Sequence, residues 1–378
     1  MQKNQPPKGL HLNKDVFVAG LDRTEMERYL KSVIGPSARI LNLKILGASE
    51  ERDIKGYGYG TPVQIDYECD GEQRSAVLHT ISPGPFGHEH MADRAQMLLW
   101  DHSAFNRLPR HVRSIDAGAF QSDGSAVSLG NAQELFVLTE YAEGRGYFED
   151  LTRMRDDPKL TELDVARADA LCDYLVDIHR VQENNPDLYV RRIRELIGHS
   201  ECIMGLIDSY PSQHEVIDRA LLKDIEQRCV DWRWRLKDRV HRLRQVHGDF
   251  HPWNILFREG TDFLLLDRSR GEWGDPADDV TCLTMNYLFF SLQRSGLLDK
   301  NLESLFLRFW ERYLSKSGDA EMLHVVAPFF AFRGLVMAHP VWYPKLAKDV
   351  RQKLFNFIQA VLSEDVFKPK EVNRYCGA

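Results

Sequence analysis

The stretch His247-Gly248-Asp249-Phe250-His251-Pro252-Trp253-Asn254-Ile255-Leu256-Phe257 is followed, after a short charged turn, by Phe263-Leu264-Leu265-Leu266-Asp267. Asp249 and Asn254 stand five residues apart with Pro252 between them, which predicts a loop here and not a helix. Two apolar runs of strand length come next, Ile255 to Phe257 and Phe263 to Leu266, joined by a turn that carries Gly260. A second carboxylate, Asp267, ends the second run.

Phosphoryl transfer to a hydroxyl needs a base for the acceptor proton and oxygen ligands that hold Mg²⁺ against the nucleotide phosphates. A D-x-x-x-x-N loop followed by a strand ending in Asp supplies both, with Asp249 as base and Asn254 and Asp267 as metal ligands. With these residues the chain resembles the aminoglycoside phosphotransferase and choline kinase group, small-molecule relatives of protein kinases whose catalytic loop commonly reads H-G-D-x-H-x-x-N. The segment from Asp267 through Gly274-Asp275-Pro276-Ala277-Asp278-Asp279 is similar to that family's metal-binding Asp and its downstream G-D-P-x-x-D. A lone D-x-x-x-x-N is usually a hairpin with a polar approach loop and no chemistry. Here His247, Pro252, Asp267 and Gly274-Asp275-Pro276 all stand in register with it.

The resemblance implies an α+β, bilobal, protein-kinase-like fold. A small N-lobe would carry an antiparallel sheet, and a larger C-lobe would be mainly helical. Residues 1–20 read as an arm, 21–142 as the N-lobe and 143–378 as the C-lobe. At 378 residues the chain is long enough for such a unit. Its 43% hydrophobic and 28% charged content is that of a globular protein. A net charge of −7 argues against a nucleic-acid binder. Six scattered cysteines without a C-x-x-C pair fit a reducing cytoplasm. The polar N-terminus lacks a signal-peptide core, and the apolar region 323–342 is interrupted by Pro328, Arg333, Gly334, His339 and Pro340. That region reads as a buried helix and not as a membrane span. The expectation is a cytoplasmic protein with no membrane partner.

Along the chain, Leu21 to Ile34 follows helical spacing and ends at Gly35-Pro36. Strands are expected over Ile40 to Leu46, Pro62 to Tyr67 and Ser75 to Ile81, with Asp70-Gly71 as a hairpin turn. Gly56, Gly58 and Gly60 precede that hairpin, and such glycines let a backbone approach phosphates closely. In the resembled family this is the place of the nucleotide-covering loop. Family members carry a lysine late in the return strand, paired with an acidic residue on the next helix. Here His79 stands in the lysine's place, and Asp93, on a helix over Met91 to Trp100, stands in the acidic one, with Glu89 its neighbour. An ordinary imidazole is only about one-quarter protonated at pH 7. A bound triphosphate raises that fraction, and Lys55 lies beside the glycine loop. The alternative for His79 is a strand histidine satisfied by Asp93 or by the backbone.

Leu135 to Gly144 reads as a buried strand running into a turn. It resembles the family's hinge, where backbone groups of residues such as Glu140 and Ala142 bind the nucleotide base. Leu163 to Val181 is an amphipathic helix. It ends in His179, more commonly a packed core histidine than a ligand. Residues 185–245 form a helical insertion, where Trp232 and Trp234 alternate so that at most one faces the core. Helices follow over Val280 to Leu297, Leu302 to Leu314, Phe329 to Val341 and Val350 to Leu362. Arg333, His339, Trp342 and Tyr343 are candidate acceptor contacts, set against the ordinary reading of such residues as core.

The function expected from the resemblance is a Mg²⁺-dependent transfer of the γ-phosphate of ATP or GTP to a small-molecule hydroxyl. Asp249 is the base, His251 a contact of the transferred phosphate, and Asn254 and Asp267 the metal ligands. His247 and Asp275 buttress the loops. The alternative is a nucleotide-binding pseudokinase, for which His79 speaks and the intact Asp249, Asn254 and Asp267 do not. Antibiotic, amino alcohol, sugar and nucleoside acceptors all stay open, because acceptor pockets lie in the variable helices.

Overall fold

The computed structural model describes residues 21–46, 60, 62–84, 87–157, 159–212 and 215–377. The chain divides into two compact units, Met1–Thr139 and Glu140–Ala378. Gly56, Gly58 and Lys55 lie outside the described residues.

The first unit opens with helix α1 (Arg23–Val33). The Asp22 carboxylate accepts the Thr24 N–H at 2.7 Å, so the first-turn donors are capped. Three strands follow, β1 (Arg39–Ile45), β2 (Val63–Cys69) and β3 (Glu72–Leu78), as an antiparallel sheet with β2 in the centre. Strand β2 alternates strictly, with Val63, Ile65, Tyr67 and Cys69 buried, as expected when one face of a sheet packs. The partial alternation of β1 has a cause in a register shift between Ile40 and Asn42. Asp70 and Gly71 both have positive φ, +54° and +80°, as a two-residue hairpin turn requires. The return strand ends at Leu78, so His79 lies one residue beyond it, exposed. Helix α2 (Met91–Phe105) and a short hairpin of β4 (Gly118–Phe120) and β5 (Ala126–Ser128) complete the unit.

The expectation of a buried strand from Leu135 is corrected by the structure. Leu135 to Ala142 form no strand, and Phe136, Val137 and Leu138 are 90%, 85% and 89% exposed. An apolar run becomes a strand only where a neighbour takes its backbone hydrogen bonds, and among the described residues none pairs with this one.

The second unit is mainly helical. Strand β6 (Arg145–Gly146) leads into α3 (Tyr147–Asp156), and α4 (Glu162–His179) follows. The insertion supplies α5 (Pro186–Gly198), α6 (Ile203–Ser209) and α7 (Arg219–Leu236). On α7, Trp232 is buried and its Nε1 donates to Leu362 O at 3.0 Å, while Trp234 is 59% exposed. Then come β7 (Arg244–Gln245), β8 (Ile255–Phe257), β9 (Phe263–Leu265) and β10 (Trp273–Gly274). Strands β6, β8 and β9 form one antiparallel sheet, and β7 pairs with β10. Four helices close the unit: α8 (Ala277–Ser295), α9 (Lys300–Ser317), α10 (Ala327–Ala338) and α11 (Lys348–Ser363). Helix α8 is buried nearly all round, and its buried polar side chains such as Thr281, Thr284 and Asn286 bond back to carbonyls of the preceding turn.

The class is therefore α+β, with antiparallel sheet in the first unit and helices dominating the second. All six cysteines are buried free thiols. No helix among the described residues is long and apolar enough to cross a membrane.

Candidate active site

The loop before β8 is held from below by one buried carboxylate. Asp279, in the first turn of α8, accepts the backbone N–H of His247 at 2.8 Å and of Gly248 at 2.7 Å. Its Oδ2 also meets His179 Nε2 at 3.1 Å, and His179 Nδ1 meets the Tyr313 hydroxyl at 2.7 Å. Burial alone would raise the Asp279 carboxyl, but the bonds from His179 and the His247 N–H outweigh it and hold it low. Gly248 turns with φ of +85°, and a β-carbon there would stand 3.2 Å from the Arg270 Cβ. Glycine is needed on both counts. His247 is buried, burial pushes its imidazole down, and its Nδ1 accepts the Asp249 N–H at 3.3 Å.

The second expected buttress, Asp275, is 2% exposed. It takes a two-point ion pair from Arg242, at 2.8 and 2.9 Å, and the Tyr189 hydroxyl at 2.8 Å. The two acidic residues of 274–279 that the fold buries, Asp275 and Asp279, are thus fully engaged in structure.

Asp249 and Asn254 come together across the loop. A short 3₁₀ turn, Pro252–Asn254, brings the Asn254 Nδ2 to Asp249 O at 3.1 Å and to its Oδ2 at 3.4 Å. The Asn254 amide oxygen has no hydrogen-bond partner among the described residues and is available to a cation. His251 Nε2 lies 3.4 Å from the same Oδ2, while its Nδ1 accepts the Trp253 N–H. Trp253 stacks on Phe148, centroids 5.5 Å apart, so the loop has a firm aromatic flank. Leu266 N–H donates to Asn254 O at 2.9 Å and ties the end of β9 to the loop. Asp267 follows, exposed, with φ of +52° and Oδ1 accepting the Ser269 N–H at 3.1 Å. An amide oxygen and a carboxylate suit Mg²⁺, which takes one or two protein ligands and completes its shell with phosphate oxygens and water.

One partner was not foreseen. Arg333 on α10 donates to Asp249 Oδ1 at 2.5 Å, to Gly248 O at 3.0 Å and to Asp278 Oδ1 at 2.6 Å. Burial would raise Asp249, yet Arg333, with His251 and Arg270, holds its carboxyl far below the usual range. Burial dominates at Asp278 and raises it, with Arg333 pulling the other way. Both carboxylates gain from the one guanidinium; burial and the neighbouring Asp279 charge push Asp278 up while Asp249 stays low. The signal for Arg333 was a charge within an otherwise apolar helix, since buried arginines are nearly always paired. It read as a candidate acceptor contact, whereas its side chain is 6% exposed and grips the loop.

The remaining candidates have local surroundings of their own. Gly60 lies so close to Thr80 that a β-carbon would stand 1.8 Å from its carbonyl oxygen, which gives this glycine a packing reason of its own. Asp93 accepts the His90 N–H at 2.8 Å and caps α2. Glu140 is exposed and Ala142 half-buried in the irregular segment before β6.

A model of the APH phosphotransferase enzyme family matches residues 67–322. The chain belongs to that family, and its α+β architecture is the family's protein-kinase-like fold. A search of curated proteins finds no match. Among solved structures, the choline kinase LicA from Streptococcus pneumoniae is 13% identical, with 90% of this chain and 98% of that one covered and a TM-score of 0.34. An amicoumacin kinase in complex with AMP-PNP and Ca²⁺ is 15% identical, over 87% of this chain and 91% of that one, with a TM-score of 0.39. An ADP-bound aminoglycoside phosphotransferase is 15% identical, over 91% and 97%, with a TM-score of 0.32.

Proposed function

We propose that this phosphotransferase moves the γ-phosphate of ATP or GTP to a hydroxyl of a small molecule, with Mg²⁺ and with Asp249 as base. The observation that carries the reading is the meeting of Asp249 and Asn254 in one pinned loop, 3.4 Å from Nδ2 to Oδ2. Arg333 holds Asp249 Oδ1 at 2.5 Å, whereas Oδ2 has only the 3.4 Å approaches of Asn254 Nδ2 and His251 Nε2, so Oδ2 is the oxygen that receives the acceptor proton. Asn254 Oδ1 and Asp267 are the metal ligands. A bound ion would supply positive charge to neutralise the phosphate oxygens. His251 contacts the transferred phosphate. The remaining work is positioning, which in this chemistry supplies much of the rate.

In this reading Gly56, Gly58, Gly60, His79 and Asp93 are phosphate-side residues of the nucleotide, and the backbone of Glu140 and Ala142 contacts its base. Residues 1–20 are then an arm, 21–142 the N-lobe and 143–378 the C-lobe of a cytoplasmic protein. One observation speaks for a second reading, a pseudokinase without turnover: His79, and no lysine, stands one residue beyond β3.

The test is incubation with Mg²⁺ and γ-labelled ATP, then GTP, in a small-molecule extract, beside Asp249→Asn. Label is expected in a new species with the wild type, reduced about 10²–10⁴-fold in the variant, the usual worth of a positioned base. Nucleotide binding without Asp249-dependent transfer would establish the pseudokinase instead.

A further inference from the structure

Two arginines follow Asp267, and they use their guanidinium groups differently. Arg268 is built into the fold: its Nε and Nη2 donate to Val246 O at 3.1 and 2.8 Å, and Nη2 also donates to Glu272 O at 3.2 Å. Arg270 is half-buried, yet its guanidinium makes no hydrogen bond or ion pair among the described residues. Its Cζ lies 4.5 Å from the centroid of the buried Phe332 ring, and the Arg333 Cζ lies 4.7 Å from the same centroid. The unpaired guanidinium therefore stands within one ring of the one that grips Asp249. The Arg270 side chain also backs directly onto Gly248, and its charge bears on both Asp249 and Asp278.

Arg192, on α5, extends this cationic surface. Its Nη2 lies 2.7 Å from where a β-carbon of Gly271 would be, next to Arg270. Its Nη1 pairs with Glu195 at 2.7 Å, but its Nε is buried with no hydrogen-bond partner.

A guanidinium is weakly hydrated, stacks on aromatic faces, and presents a planar fork of donors that matches a carboxylate or phosphate. If Arg270 served only to balance Asp249 and Asp278, it would hydrogen-bond to them. Arg333 makes both of those bonds instead. A half-buried arginine with its donors unused, beside the residue that meets the acceptor hydroxyl, is arranged for an oxyanion from outside the chain.

We propose that Arg270, with Arg192 beside it, binds an oxyanion group of the acceptor, so that the substrate is an anionic hydroxyl compound bearing a phosphate or a carboxylate. The inference rests on the phosphotransferase reading, in which Asp249 faces the acceptor.

Calorimetric titration of the full chain, with Mg²⁺ and AMP-PNP filling the nucleotide site, tests it with three probes that differ in charge: glucose 6-phosphate, gluconate and glucosamine. At least one anion is expected to bind about tenfold or more tightly than glucosamine, and Arg270→Met to lose at least about that factor. Arg270→Lys, which keeps the charge without the fork, is expected to fall between them. The better of the two anions distinguishes a phosphate from a carboxylate. Binding of neither anion, a preference for glucosamine, or equal anion binding by Arg270→Met would overturn the inference. So would a variant that loses AMP-PNP affinity and keeps anion affinity, because Arg270 would then hold the nucleotide. A wild-type chain that binds no AMP-PNP at all would instead overturn the phosphotransferase reading beneath it.

Discussion

Arg333 is the residue on which the geometry of Asp249 depends. Its guanidinium has carboxylates on two sides and a backbone carbonyl on a third, and it sits within a helix whose other side chains are apolar. Removing one partner of a buried pair leaves an uncompensated charge, at a cost of about 3–5 kcal/mol. Arg333→Met removes the guanidinium that bonds to both Asp249 and Asp278, so a loss of that order is expected in urea unfolding. Adding Asp278→Asn removes one of the two negative charges and should recover a good part of the stability. Activity should not return with it, because Asp249 Oδ1 still has nothing to orient it. If the double variant regains turnover along with stability, Arg333 is a structural ion-pair partner and does not position the base.

At the scale of elements, the loop that carries Asp249 is attached to the first turn of α8 through Asp279. That carboxylate takes two backbone N–H groups and a histidine, all buried. Asp279→Ala strands these donors, and each buried unsatisfied group costs about 1–3 kcal/mol. A loss of several kcal/mol is expected by urea unfolding at neutral pH, with kcat falling further than the folded fraction accounts for. Asp279→Asn keeps one acceptor oxygen and should lie between; a wild-type kcat in the folded Asp279→Ala protein would show that the loop holds its shape without this anchor. How much could be read beforehand follows the same distinction between local and distant causes. The loop, the β8–β9 hairpin and the Asp70-Gly71 turn were legible because proline, glycine and strand alternation act within a few residues. Arg333 was not, because its partner lies 84 positions away and only the packing of α10 brings them together. The run Leu135 to Leu138 was misread for the converse reason: its composition favours a strand, but a strand also needs a neighbour, which composition does not contain.

On the scale of the whole molecule, the two units are unequally equipped to fold. The hydrophobic core of the second unit runs from Tyr147 to Cys376 through every one of its long helices. That of the first is the group Met26, Leu30, Ala38, Ile40, Ile65, Tyr67 and Cys69, between α1 and the sheet. Helix α2 adds no buried side chain, and Met91, Trp100, Phe136, Val137 and Leu138 all face outward. A chain segment must bury enough apolar surface to offset the entropy of ordering its backbone, about 1–2 kcal/mol per residue. Among the described residues of this unit, seven side chains form its core cluster, few for a segment of that length, and exposed apolar patches promote association. A fragment of residues 140–378 is therefore expected to unfold cooperatively in urea, with an m-value in keeping with its size. A fragment of residues 21–139 is expected to show no cooperative transition and to associate at micromolar concentration. Far-UV circular dichroism during urea titration, with light scattering, reads both. A sharp transition in the smaller fragment and none in the larger would mean that stability in this chain is not set by the continuous core of the second unit.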